Sequence, residues 1–422
     1  MAVSIGGGAR KNPGGTHRAE VRMDTFVIVG ASLAGAKAAE TLREEGFPGR
    51  IVLIGEELRR PYERPPLSKG LLLGTAGPDE PFLHDETWYA ERDITLRLGA
   101  RVTEIDRRGR VARVGAEEIG YDKLLLATGS RPRELPGDGL LYLRTYDNAV
   151  RLKEVLRAGG HLTVVGAGWI GLEVAAAARS AGVEVTVIAP EPVPLQGVLG
   201  DRIGGVFADL HRGHGVDFRF GTTVGEFGDK RVVLSDGSVV ETDHVLVAVG
   251  AAPNVELAAA AGLAVDNGVL VDAYHRTSDP NIFAAGDVAN VEHPRYGTRI
   301  RVEHWGNALT SGPAAARAML GRGSPWTAVP YFFTDQYDLG MEYAGLLQPG
   351  ATLVIRGDLG KRECIVFWTV DDRVIAGMNI NVWDVTDDIQ ALIAAGFDGH
   401  RVVPALLADP TVPLAELLPQ TP

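Results

Sequence analysis

Two short apolar runs, each ending in a glycine-rich turn, constrain this chain more than any other feature. Phe26-Val27-Ile28-Val29 stops at Gly30, and residues 34–45 are rich in helix formers up to Gly46. A four-residue apolar run bounded by glycine reads as a strand buried on both faces. The stretch after it reads as a helix, and Ile51-Val52-Leu53-Ile54 as the next strand. The order repeats: Leu162-Thr163-Val164-Val165 runs into Gly166, a helix-like stretch spans Leu172 to Ser180, and Val185-Thr186-Val187-Ile188 follows. Two β-α-β units whose glycines lie 136 residues apart are too widely spaced for a solenoid and suit two dinucleotide-binding domains in one chain.

The second turn, Gly166-Ala167-Gly168-Trp169-Ile170-Gly171, carries all three fingerprint glycines. The first permits the tight turn, the second lets backbone approach a pyrophosphate, and the third lets helix pack on strand. Phosphate then sits on the helix N-terminus, where free N–H groups and the dipole favour an anion. The first turn, Gly30-Ala31-Ser32-Leu33-Ala34-Gly35, has Ser32 in the middle position. Its side chain hinders close approach without blocking it, and its hydroxyl can donate to phosphate. Glu56 lies 21 residues after Gly35, at the end of the second strand, where an acid accepts from both ribose hydroxyls. The second unit lacks that acid, although Glu191 stands two positions beyond its place. No Arg or Lys lies between Val183 and Gly200 to neutralise a 2′-phosphate, which favours NADH over NADPH.

Composition narrows the classes further. The 422 residues hold one cysteine, Cys364, so an internal disulfide, a dithiol redox pair, a four-cysteine zinc site and a protein-borne iron–sulfur cluster are excluded. A reducing cytoplasm fits that usage, and Cys364, within an apolar run, reads as a buried small hydrophobe. A net charge of −12 argues against nucleic acid, no uncharged stretch reaches the roughly 18 residues of a membrane span, and no metal cluster is expected. Residues 1–22, with Gly6-Gly7-Gly8 and Pro13-Gly14-Gly15 and no apolar run, read as a disordered leader, Met23 being a natural alternative start. After about residue 326, alternating runs such as Cys364 to Val370 and Val374 to Ile380 read as antiparallel strands of a smaller α+β domain.

Arg64-Pro65-Pro66-Leu67-Ser68-Lys69, Ala127-Thr128-Gly129, Gly168-x-x-Gly171-Leu172-Glu173 and Thr277-Ser278-x-Pro280-x-Ile282-Phe283-Ala284-x-Gly286-Asp287 occur in that order. This set resembles the FAD-dependent NAD(P)H:ferredoxin reductases of the putidaredoxin reductase and rubredoxin reductase type, which serve cytochrome P-450 monooxygenases and ring-hydroxylating dioxygenases. The resemblance implies a glutathione-reductase-like α/β architecture. A discontinuous FAD domain would span 23–138 and 254–326, an NAD(P)H domain 139–253 and the C-terminal domain 327–422. It places FAD on Gly30, Ser32, Ala34 and Gly35, with Glu56 on the adenosine ribose and Val102 at the adenine. Arg64, Ala127 and Thr128 line the cofactor, Arg144 meets its phosphates, Asp287 its ribityl chain, and Trp305 lies beside the flavin. NAD(P)H falls to Gly166, Gly168, Trp169, Ile170, Gly171 and Gly250. Lys69 and Glu173 are implied to be the catalytic pair, an ammonium near the flavin kept in place by a carboxylate. Trp169 reads either as a gate for nicotinamide or as filler of the domain cleft.

Tyr331-Phe332-Phe333 reads either as cover for the flavin edge or as plain core, and His304 as structural. The implied partner is a 2Fe–2S or 3Fe–4S ferredoxin. An acidic ferredoxin meeting a chain of charge −12 needs a local basic patch, for which Arg295, Arg299 and Arg301 are the candidates. Two other functions are compatible with the motifs. One is a flavoenzyme reducing a small acceptor such as a quinone, monodehydroascorbate or oxygen. The other is a redox-gated binding protein resembling apoptosis-inducing factor.

Overall fold

The computed structural model describes Met1 and residues 23–419, so the leader expected over 1–22 lies, Met1 apart, outside the described residues. The first unit is β1 (Thr25–Val29), α1 (Leu33–Glu44), β2 (Arg50–Ile54), β3 (Ile94–Arg97) and β4 (Lys123–Leu126). The second is β5 (His161–Val165), α2 (Trp169–Ser180), β6 (Glu184–Ala189), α3 (Gln196–Gly213), β7 (Asp217–Phe220) and β8 (His244–Val247). After it come β9 (Ile282–Ala284) and α4 (Trp305–Met319).

β9 returns to the first sheet, whose order is β9-β4-β1-β2-β3 with every pairing parallel. The second sheet, β7-β6-β5-β8, is likewise parallel. The two-residue period of a strand divides each first-sheet run between two cores. Phe26, Ile28, Ile51, Leu53 and Leu125 pack under α1 and α4, whereas Val27, Val29, Val52, Leu124 and Leu126 meet Val102, Ile105 and Ile119 of an antiparallel meander. Helices α1 and α4 cross very closely: a Cβ on Gly312 would lie 2.3 Å from the Ala34 carbonyl oxygen. The chain leaves each nucleotide sheet through an edge segment, Ser130–Pro132 and Ala251–Pro253, and these two pair antiparallel. Thr128 and Asn254 lock the crossing, Thr128 Oγ1 donating to the Asn254 carbonyl at 2.9 Å and Asn254 Nδ2 to the Thr128 carbonyl at 2.8 Å.

The C-terminal part is an antiparallel sheet of β10 (Tyr331–Gln336), β11 (Leu339–Gly345), β12 (Thr352–Asp358), β13 (Glu363–Val370) and β14 (Arg373–Ile380), covered by α5 (Thr386–Phe397). Its order is β10-β11-β14-β13-β12. Glycines let the helix lie close: a Cβ on Gly396 would meet the Val374 carbonyl oxygen at 2.4 Å. Edge strand β10 rests on both α2 and α4, so the third layer closes the groove between the two nucleotide units. Cys364 is buried in β13, and burial pushes its thiol up to about 11.

Candidate active site

Each glycine turn is held by contacts that only glycine permits. Gly30 has φ +119°, and a Cβ there would lie 2.0 Å from the Ala127 carbonyl oxygen. Gly166 has φ +106°, and a Cβ would lie 2.4 Å from the Ala248 carbonyl oxygen. The third glycines admit helix onto turn, since Cβ atoms on Gly35 and Gly171 would lie 1.9 and 2.2 Å from the Gly30 and Gly166 carbonyls. Gly168 differs. It caps α2 in extended backbone, is exposed, and a Cβ there would meet no other atom within 4 Å. Its missing side chain serves nothing inside the protein, which leaves approach by a ligand as its use. Ser32 caps α1 without a side-chain cap bond, so its hydroxyl is free to donate. Ala34 is packed on Gly312 of α4 and offers only a first-turn N–H.

The remaining nucleotide residues fall along the first sheet. Glu56 follows β2, mostly exposed, with Oε1 3.0 Å from Arg101 Nη1. Val102 is buried at the start of the meander. Asp287 Oδ2 accepts from Arg144 Nη2 and Ser130 Oγ, each at 2.8 Å. Arg64 bonds the Arg144 carbonyl and, at 3.1 Å, Glu57 Oε1. Burial lowers the Arg144 guanidinium, reinforced by Arg64, while Asp287 works against it. Three buried polar atoms here have no protein partner: the donors Arg144 Nε and Trp305 Nε1, and His304 Nδ1. Buried polar atoms are normally satisfied. Unsatisfied polar atoms on the residues assigned to the cofactor's phosphates and flavin fit FAD, as does the turn at Gly30. His304, pushed down to about 4 by burial, stands neutral against Phe332, with ring centroids 4.4 Å apart.

Lys69 and Glu173, 104 residues apart in sequence, form an ion pair with Nζ 2.8 Å from Oε1. Lys69 stands between the turn Pro65–Leu67 and the short helix Gly70–Leu73, and Glu173 in the first turns of α2. Glu173 is 5% exposed and accepts two further bonds, from Ser68 Oγ and, at 2.6 Å, from Thr334 Oγ1. A carboxylate this deeply buried is tolerated because it is charge-paired and hydrogen-bonded. Lys69 Nζ also lies 5.2 Å from the Phe333 ring centroid, and Phe333 meets Trp305 edge-on at 5.8 Å. Lysine, aromatic wall and the helix opened by the second glycine turn therefore meet in one place.

The alternation of β10 separates two jobs. Phe332, Thr334 and Gln336 are buried, whereas Phe333 faces Lys69 and Trp305. Sequence reasoning missed Ser68 and Thr334 as holders of Glu173. The available signal was a polar residue alternating with Phe332 on an apolar face. Trp169 is half-buried between Phe207 and Phe332, at 5.8 and 4.8 Å, so its ring fills the seam between the nucleotide unit and β10. Ile170 is exposed beside it, and Gly250, at φ +98°, ends the β8 crossover.

The docking arginines do not form the expected three-charge patch. Arg301 is 10% exposed, with Nη1 2.5 Å from Glu303 and Nε on Asn267. Arg299 lies 3.6 Å from Glu292 and donates to the Val271 and Asn290 carbonyls. Local carboxylates and carbonyls absorb both charges. Of the three, only Arg295 is exposed without a partner, on a hairpin whose Tyr296 packs against Phe397 of α5 at 4.8 Å. No group of three or more potential metal ligands occurs among the described residues.

Known proteins resemble this chain in sequence and fold. Residues 24–312 match the pyridine nucleotide-disulphide oxidoreductase family and residues 331–418 the reductase C-terminal family. The chain is 41% identical over 409 residues to the ferredoxin--NAD(+) reductase component of the anthranilate 1,2-dioxygenase system of Burkholderia cepacia, covering 94% of this chain and 99% of that one. It is 37% identical over 411 residues to putidaredoxin reductase of Pseudomonas putida, covering 94% and 97%. Among solved structures, the covalent putidaredoxin reductase–putidaredoxin complex superposes with a TM-score of 0.89 at 36% identity, over 93% of this chain and 98% of that chain. The chain belongs to the pyridine nucleotide-disulphide oxidoreductase family, with the added reductase C-terminal domain.

Proposed function

We propose that this protein is an FAD-dependent ferredoxin reductase that oxidises NADH and feeds a 2Fe–2S or 3Fe–4S ferredoxin of a cytochrome P-450 or ring-hydroxylating oxygenase system. The carrying observation is the Lys69–Glu173 pair, whose buried carboxylate stands on the helix that the second glycine turn opens, in a chain with a single cysteine. Related family members named for disulphide chemistry need a dithiol, and Cys364 is alone and buried. Bound FAD supplies the exchange between a two-electron hydride donor and one-electron acceptors. In this reading the Gly30 turn, Ser32, Glu56, Arg64, Val102, Arg144, Asp287 and Trp305 hold FAD. The Gly166–Gly171 turn and Gly250 hold NADH. Lys69 presents positive charge at the reacting edge, and Glu173 fixes its position. Sheet membership supports a discontinuous FAD domain over 23–138 and 254–326, an NADH domain over 139–253 and a C-terminal domain from 327. Absence of a basic residue between Val183 and Gly200 supports NADH. No helix of the described residues is long and apolar enough to cross a membrane, and we place the protein in the cytoplasm, where a single reduced cysteine is at home.

The test is cytochrome c reduction by NADH with and without a panel of ferredoxins. Rapid reduction that needs a ferredoxin is expected. Equally fast turnover with quinone or oxygen alone, or a long-lived reduced complex with little turnover, would refute the ferredoxin assignment.

A further inference from the structure

Beneath the Lys69–Glu173 pair runs a line of buried polar side chains that the proposed chemistry does not use. Thr334 Oγ1, which donates to Glu173 Oε1 at 2.6 Å, accepts from Gln336 Nε2 at 3.1 Å. Gln336 Oε1 lies 2.8 Å from His211 Nε2, and His211 Nδ1 lies 3.4 Å from the Tyr337 hydroxyl. Thr334, Gln336 and His211 are each at most 1% exposed. The line crosses three elements, from α2 through β10 to the last turn of α3, and comes out at Tyr337, where exposed His214 stacks on the ring at 3.6 Å.

Donor logic gives the line one direction. An ionised Glu173 can only accept, so the Thr334 proton must point to it. Thr334 then needs a donor from Gln336, which turns the amide nitrogen inward and its oxygen toward His211. An amide oxygen only accepts, so His211 carries its proton on Nε2 and leaves Nδ1 to accept from Tyr337. Every donor in the series therefore points toward the carboxylate.

We propose that His211 is a positioning residue: through Gln336 and Thr334 it holds the Glu173 carboxylate aimed at Lys69. This rests on the reading of Lys69 and Glu173 as the pair beside the bound flavin. Hydrogen bonds in series polarise one another, so each member of the line fixes the orientation of the next. Burial pushes His211 down to about 4, the Gln336 bond raising it and His214 lowering it, so the imidazole enters the series neutral. The charged and titratable groups facing the line are Lys69 and Asp335 at Glu173, Tyr337 and His214 at His211, and Arg179 at Tyr337.

Two measurements test this, neither using ferredoxin, so failure here is separate from failure of the ferredoxin assignment. The first is nitrogen NMR of the oxidised holoprotein labelled at histidine. The Nε2–H tautomer of His211 is expected throughout pH 6–8. An Nδ1–H tautomer or an imidazolium at pH 7 would overturn the proposal. The second is the pH profile of anaerobic flavin bleaching by NADH. Thr334→Val is expected to move the acid limb up by about one pH unit, with Thr334→Ser restoring it. His211→Leu and Gln336→Leu are expected to move it in the same direction by about half a unit. A shift confined to Thr334→Val, an equal shift in Thr334→Ser, or no shift at all would reduce the line to local packing. Should the leucine variants fail to fold, the tautomer of the unaltered protein decides.

Discussion

Replacing Gly168 by alanine separates ligand approach from folding. Gly168 has φ −82° and ψ −176°, a conformation alanine adopts without strain, and its Cβ would point into space free of protein within 4 Å. A compatible Gly→Ala change stabilises by about 0.4–1 kcal/mol through the unfolded chain, so Tm should hold or rise slightly. On the proposed assignment NADH approaches this backbone, and the added methyl would displace its pyrophosphate from the first N–H groups of α2. Losing one charge-assisted hydrogen bond costs about 1.5–3 kcal/mol, a roughly 10- to 150-fold rise in Kd at about 1.4 kcal/mol per tenfold. Gly166→Ala is the contrast. At φ +106°, with a Cβ 2.4 Å from the Ala248 carbonyl oxygen, it should lower stability by about 1–3 kcal/mol from backbone strain alone. The assay is thermal unfolding without nucleotide, beside NADH titration of the yellow protein. Flavin content is an internal control, because Gly168 lies outside the first turn. A Gly168→Ala protein with unchanged NADH affinity, or with a Tm reduced as far as that of Gly166→Ala, would refute the reasoning.

Other expectations follow from particular contacts. Lys69→Met leaves Glu173 buried with only Ser68 and Thr334 as donors. It should lose about 3–5 kcal/mol of stability and slow anaerobic bleaching by NADH at least tenfold, both read on flavin-loaded protein; bleaching at the parent rate would contradict the role given to the pair. Burial holds His211, His275 and His304 each near 4, below the usual 6.5. The unfolded chain therefore binds more protons between those values, so stability is full above about pH 6.5 and is lost as pH falls toward 4. Thermal melts across that window should show Tm falling with acidification; a flat profile would mean that these rings are not held neutral. Cys364, buried with its thiol raised to about 11, should resist thiol reagents in the native state, and Cys364→Ala should keep ferricyanide turnover within about twofold while losing about 1 kcal/mol of packing.

What could be read from the sequence was what single residue types enforce. Gly30 and Gly166 need positive φ and a backbone contact that no side chain survives, so both turns were visible, as were the strands that a two-sided core makes continuously apolar. That Ile282-Phe283-Ala284 closes the first sheet, and that Lys69 meets Glu173, are pairings across long separations. They were legible only through motifs shared with a family, because no local rule places distant segments side by side. Ser68, Thr334, Gln336 and His211 escaped for the same reason: each is ordinary in sequence, and only the seating of β10 on α2 and α3 aligns their hydrogen bonds. The docking arginines misled for the opposite reason. Their spacing suggested a patch, but Glu303 and Glu292 sit within reach and turn Arg301 and Arg299 to local duties.

The most direct test of the central claim is an anaerobic titration of the flavin-loaded protein with NADH, followed by back-titration with oxidised ferredoxin. A chain that stores electrons only on its cofactor should bleach with one NADH per protein and regain its colour with two equivalents of a one-electron ferredoxin. Uptake of a second NADH equivalent, or recovery of colour only with a disulfide substrate, would contradict it.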